Sequence, residues 1–145
     1  MFLAQSNATY NTGAEAGMLF GALVVLAILL IPWIFYCLTL QKALNRCSPE
    51  NRAMNPGMVW LLLIPLVNFV WNFMVVLNVS KSLGAEFQKR GMAEDPLPGK
   101  TLGLTMAILI CCGVIPIVGF VGSLGGLVCW IIYWVKIAGY SAKLA

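Results

Sequence analysis

The 145-residue chain contains no histidine and few charges: 10% of its residues are Asp, Glu, Lys or Arg, where an average globular domain has about a quarter. Without histidine it lacks the commonest haem and zinc ligand and the usual proton shuttle near neutral pH, which disfavours most redox and hydrolytic membrane enzymes. Acidic groups are scarcer still. The five are Glu15, Glu50, Glu86, Glu94 and Asp95, all outside the long apolar runs, so no intramembrane carboxylate is expected to couple transport to protons or sodium. Nor do the five cysteines have metal-site spacing. Cys111 and Cys112 are adjacent, Cys37 and Cys129 lie in apolar runs, and Cys47 alone sits in a polar loop. No nucleophile is paired with a base, so the chain reads as a non-enzyme with no catalytic residue, cofactor, metal or nucleic-acid partner.

What is present is hydrophobic surface, at 61% of residues and a mean hydropathy of +0.90. A chain this short needs a polar shell to stay in water, so these residues are expected to face lipid. Uncharged runs separate Glu15 from Lys42 (26 residues), Arg52 from Lys81 (28) and Lys100 from Lys136 (35). Each exceeds the roughly 20 residues that carry a helix across a bilayer. The reading is an all-α integral membrane protein: a polar extracytoplasmic segment over 1–17, then one polytopic domain over 18–145 with helices at about 18–40, 57–83, 101–118 and 121–143. The first residues lack a basic flank and the first run is long for a leader, so an anchor is expected there rather than a cleaved signal.

Lys and Arg mark cytoplasmic loops. Residues 1–17 carry neither, whereas all nine basic residues follow: Lys42, Arg46, Arg52, Lys81, Lys89, Arg90, Lys100, Lys136 and Lys143. That pattern predicts an outside N-terminus with the basic loops and the C-terminus inside. If residues 57–83 crossed once, the loop from Lys81 to Lys100 would lie outside against its charge. Entering and returning keeps all nine inside, giving one span and two helical hairpins; four ordinary spans in a bundle are the alternative. An internal echo, Ile64-Pro65-Leu66-Val67-Asn68-Phe69-Val70 against Ile115-Pro116-Ile117-Val118-Gly119-Phe120-Val121, suggests two units of the same orientation.

Candidate functional positions follow from the same chemistry. Asn68 and Asn72, one turn apart, put two amides on one face of an apolar stretch, where they serve as interhelical glue or line a pore. Gly17 with Gly21, and Gly122 with Gly126, recur at the four-residue spacing that lets membrane helices approach closely. Pro32, Pro65 and Pro116 are expected kinks, and Trp33, Trp60, Trp134 and Lys136 are expected at the membrane interfaces. The stretch from Asn78 to Gly91 reads as a helix end that is solvated or lies on the membrane surface.

The segment Trp60-Leu61-Leu62-Leu63-Ile64-Pro65-Leu66-Val67-Asn68-Phe69-Val70-Trp71, with Ser80-Lys81-Ser82-Leu83-Gly84-Ala85-Glu86-Phe87 and the closing Tyr133-Trp134-Val135-Lys136-Ile137-Ala138-Gly139-Tyr140, resembles a family of small bacterial multispan membrane proteins of unknown function. The resemblance covers residues 40–145. Some relatives carry a GYF-like soluble domain before the membrane part, and nothing in residues 1–145 reads as one. It implies a bacterial cytoplasmic membrane and assigns no activity or site. The function expected is a non-catalytic structural or accessory subunit of a larger membrane complex, touching lipid and either heterologous subunits or its own copies. A homo-oligomeric channel or pore-forming effector is the alternative.

Overall fold

The computed structural model describes residues 2–113 and 119–145. It is all-helical there: α1 (Phe2–Arg46), a 3₁₀ turn (Pro49–Asn51), a 3₁₀ helix (Pro56–Leu63), α2 (Pro65–Lys89), α3 (Lys100–Cys112) and α4 (Gly119–Lys143). Three helices, Gly13–Arg46, Pro65–Lys89 and Gly119–Lys143, are long and apolar enough to cross a membrane, and the chain reads as a membrane protein. Residues 1–35 and 36–145 form two compact units.

The first unit is the amino-terminal part of α1. The helix begins at Phe2 rather than near residue 18, so the polar segment set apart from the membrane domain over 1–17 is part of the same helix. No proline precedes Pro32, and once the apolar stretch is helical each further residue adds a hydrogen bond at little cost. Met18, Leu19, Phe20, Leu23, Val25, Ile28 and Leu29 are all more than half exposed, an apolar surface around the helix. α1 continues through Pro32.

The second unit contains two chain reversals. Residues 57–83, which read either as one segment kinked at Pro65 or as two arms that enter and return, divide at Ile64, which is extended (φ −86°, ψ 111°). The ring of Pro65 crowds the residue before it out of the helical region, and proline is well suited to the first position of a helix, whose N–H has no partner to lose. Pro65 therefore starts α2 instead of kinking it. Upstream, the chain runs antiparallel to α2: the Ser48 N–H meets Glu86, the Ala53 N–H donates to Ser82 Oγ at 2.9 Å, and the Trp71 indole donates to the Met58 carbonyl at 2.9 Å. α2 runs on to Lys89 and ends at Gly91 (φ +66°), with the Gly91 N–H on Gln88 O and the Met92 N–H on Phe87 O. Glycine suits this left-handed cap, which satisfies two terminal carbonyls.

α3 and α4 form the second reversal. α3 ends at Cys112, short of the expected 118, and α4 begins at Gly119; Pro116 lies outside the described residues. A Cβ on Gly122 would sit 3.3 Å from Leu109 O, and one on Gly103 would sit 2.8 Å from the Tyr133 ring, so the two helices are antiparallel and in close contact. The last turns of α1 run parallel to α4: Tyr36 meets Trp130 edge-on at 5.5 Å, Trp134 Nε1 donates to Thr39 Oγ1 at 2.8 Å, and Arg46 reaches Ser141. The core joins Leu40 and Leu44 to Val75, Val76, Val79, Leu83 and Phe87, and to Met106, Tyr133 and Ile137. The α2 members recur at helical spacing, as a core-facing stripe should.

Candidate functional site

Because α1, α2 and α4 end together, the unit 36–145 has one polar end. At its centre is Glu86, 2% exposed. One carboxylate oxygen accepts from the Ser48 N–H at 2.9 Å and Asn51 Nδ2 at 2.8 Å; the other accepts from Ser48 Oγ at 3.2 Å and Arg90 Nε at 2.9 Å. Four donors and a cation compensate the lost hydration of the buried charge. Arg90 also donates to the carbonyls of Leu144 (3.2 Å) and Arg46 (3.4 Å), and Arg46 donates to the carbonyl and hydroxyl of Ser141. Lys89 pairs with Glu50 and Lys143 with Glu94. The arrangement ties the three helix ends and engages Glu50, Glu86 and Glu94 in ion pairs.

Cys47 lies against this cluster, and burial, reinforced by the Glu86 carboxylate, pushes its thiol up to about 11. It is therefore a poor nucleophile at neutral pH. The other four cysteines are free thiols, Cys37 buried and Cys111, Cys112 and Cys129 half-buried. Among the described residues no group of three or more Cys, Asp or Glu side chains is placed to hold a metal.

The interior is aromatic, with a few polar atoms unmet. Tyr36, Trp130, Tyr133 and Trp134 form a cluster with ring centroids 5.4–6.4 Å apart, the separation at which edge-to-face contacts are favourable. Asn72 is 5% exposed and Asn68 half-buried; the Oδ1 atoms of both, Ser80 Oγ and Tyr133 OH have no hydrogen-bond partner among the described residues.

The other positions singled out in the sequence separate by location. Gly122 and Gly126 face α3, with Leu109, Ile110 and Gly113 within 3.4 Å of where a Cβ would be; Gly17 and Gly21 face open space. Trp60 donates to Gln41 Oε1 at 2.9 Å and Trp134 to Thr39, so both tryptophans fasten neighbouring elements to α1. Trp33 is half-buried. Lys136 is exposed and its ammonium lies 5.9 Å from the Tyr140 ring centroid.

Sequence reasoning missed the Glu86 cluster. The signal was Glu86 and Arg90 at i, i+4, on the face that also carries Val79, Ser82 and Leu83. No family model, characterised protein or solved structure matches the chain.

Proposed function

We propose that this chain is a non-catalytic accessory subunit that docks onto a larger complex in a bacterial cytoplasmic membrane. Its N-terminus would lie outside, with the basic loops and the C-terminus in the cytoplasm. The observation that carries the reading is the uncovered amino-terminal part of α1, which is apolar on every side between Met18 and Ile31, with Gly17 and Gly21 open to a neighbour. Small residues on such a surface favour close helix–helix approach in lipid. Glu86, Arg90, Arg46 and Ser141 are engaged in tying helix ends together, which suits a structural part better than a reactive one. The resemblance to small bacterial multispan proteins supports the choice of membrane. A homo-oligomeric channel has less support, because Asn72 is turned into the chain itself.

The test is extraction from the native membrane in mild detergent, followed by native mass measurement and identification of everything that copurifies. Stoichiometric heterologous subunits are expected, and they should be lost from a Gly17→Leu/Gly21→Leu variant. A symmetric homo-oligomer free of other proteins would replace this reading with the channel.

A further inference from the structure

We infer that the polar end of residues 36–145 carries a binding surface for anionic phospholipid, formed by lysines at one height around the bundle. All nine cations of the chain lie in this unit. Three of its four acids are consumed in the pairs Lys89–Glu50, Arg90–Glu86 and Lys143–Glu94. Asp95 alone is left against Lys42, Arg46, Arg52, Lys81, Lys100 and Lys136. Arg46 and Arg52 spend donors on neutral groups, the former on Ser141 and the latter on the carbonyls of Cys47 and Asn45, so their charge is not cancelled.

The placement of the lysines is more telling than their number. The parallel helices α1, α2 and α4 meet at Arg46, Glu86 and Ser141. Lys42 lies four residues before the first, Lys81 five before the second and Lys136 five before the third. At about 1.5 Å per residue all three sit some 6–8 Å from the cluster, on the side of the apolar wall. All three are exposed, and Lys100 is half-exposed at the start of α3. One turn farther from the polar end the exposed surface is apolar, with Leu38 at 44% before Lys42 and Ile132 at 50% before Lys136, and Val135 beside Lys136 is 66% exposed. A ligand that satisfies both surfaces must have a negative head and hydrocarbon chains. Juxtamembrane lysines attract anionic lipid by about a factor of five each, so three together discriminate well over tenfold against a zwitterionic head.

This surface is independent of the accessory reading: losing the lipid preference leaves partner subunits untouched, and finding no partner leaves the lipid surface standing. The experiment is native mass spectrometry of the purified full chain in mild detergent with phosphatidylglycerol or phosphatidylcholine added in turn. Phosphatidylglycerol should be retained at least about tenfold better, and K42Q/K81Q/K136Q should bring the two lipids to parity. Equal retention by the unmodified chain overturns the proposal. So does a preference that survives in the triple variant, or displacement of the lipid by excess inorganic phosphate or by an acidic peptide. As these lysines are exposed and make no ion pair in the chain, the variant should keep the native unfolding temperature. A variant that unfolds is replaced by salt titration of the unmodified chain, where a preference unchanged by salt overturns the proposal.

Discussion

At the scale of single residues, glycine and glutamate divide the molecule into parts that tolerate change and parts that do not. A Cβ on Gly84 would lie 2.0 Å from the Pro96 carbonyl oxygen, a backbone atom that cannot rotate away. Gly84→Ala is therefore expected to cost about 1–3 kcal/mol, read as a fall of several degrees in thermal unfolding in detergent. Gly21→Ala meets nothing within 4 Å and should be neutral or stabilising by up to about 1 kcal/mol, since alanine is the better helix former. Equal unfolding temperatures for the two would refute the close contact at Gly84. Glu86→Ala removes the acceptor for four donors and leaves Arg90, whose side chain is 38% exposed, without a counter-charge. A loss of about 2–4 kcal/mol is expected, below the full cost for a deeply buried pair because Arg90 is partly solvated. Glu86→Gln, which keeps an acceptor oxygen, should lose less. Cys47 gives the pH signature. Its thiol is pushed up by burial in the folded chain, so its neutral form is compatible with the fold at all pH values below the unfolded thiol range, and stability declines as pH rises toward about 11. At pH 8, a single-cysteine chain retaining Cys47 should resist alkylation until denatured; rapid labelling of the folded chain would contradict its burial.

At the scale of elements, the sequence made helices legible and their joints much less so. The apolar runs announced membrane helices, one span with two hairpins or a bundle of four, because charge is expensive in hydrocarbon, whatever the details of packing. The break at Ile64 was visible only as a proline in an apolar run, which fits a kink as well as a reversal. The outcome is decided by contacts distant in sequence: the Trp71 indole N–H on the Met58 carbonyl, the Cys37 thiol on the Val59 carbonyl and Trp60 on Gln41. A 3₁₀ helix of eight residues is long for its kind and has poorer internal hydrogen bonds, so these bonds to the neighbouring helices sustain it. Trp71→Phe keeps the ring and removes the donor to Met58 O. The expected cost is about 0.5–1.5 kcal/mol, with loss of amide-exchange protection confined to 56–64 while α4 is unaffected; uniform loss along the chain would show that the 3₁₀ helix is not held locally. The echo between Ile64–Val70 and Ile115–Val121 anticipated two units of like direction, and α2 and α4, 25 residues each, do end at the same polar cluster. Glu86 falls in the stretch 78–91 that reads as a solvated or surface-lying helix end, where an isolated carboxylate is normally hydrated. Only the return of Ser48 and Asn51 to α2 supplies the donors that allow its burial, and no local pattern encodes that return.

At the scale of the whole chain, the joined helix ends determine sidedness. The carbonyls of Arg46 and Leu144 both accept from Arg90, and Arg46 holds Ser141. The segments 47–55 and 90–99 and the residues after α4 must therefore lie on one face of any bilayer the helices cross. α2 and α4, each about 37 Å long, suffice for about 30 Å of hydrocarbon, whereas α3 at about 20 Å and the 3₁₀ helix at about 16 Å are too short to cross as regular helices. Each reversal thus pairs one short arm with one of crossing length. The joined helix ends would place the basic residues on a single side, as the proposed topology requires. In a background with all five cysteines replaced, Pro49→Cys, Ala93→Cys and Ala142→Cys introduce thiols at exposed positions. A membrane-impermeant maleimide should label all three from the cytoplasmic face and none from the other. If residues 57–83 instead crossed once, positions 49 and 93 would react from opposite faces. The Arg90 bridge to Arg46 and Leu144 could not then exist in the membrane, so this labelling pattern tests the fold and the sidedness together.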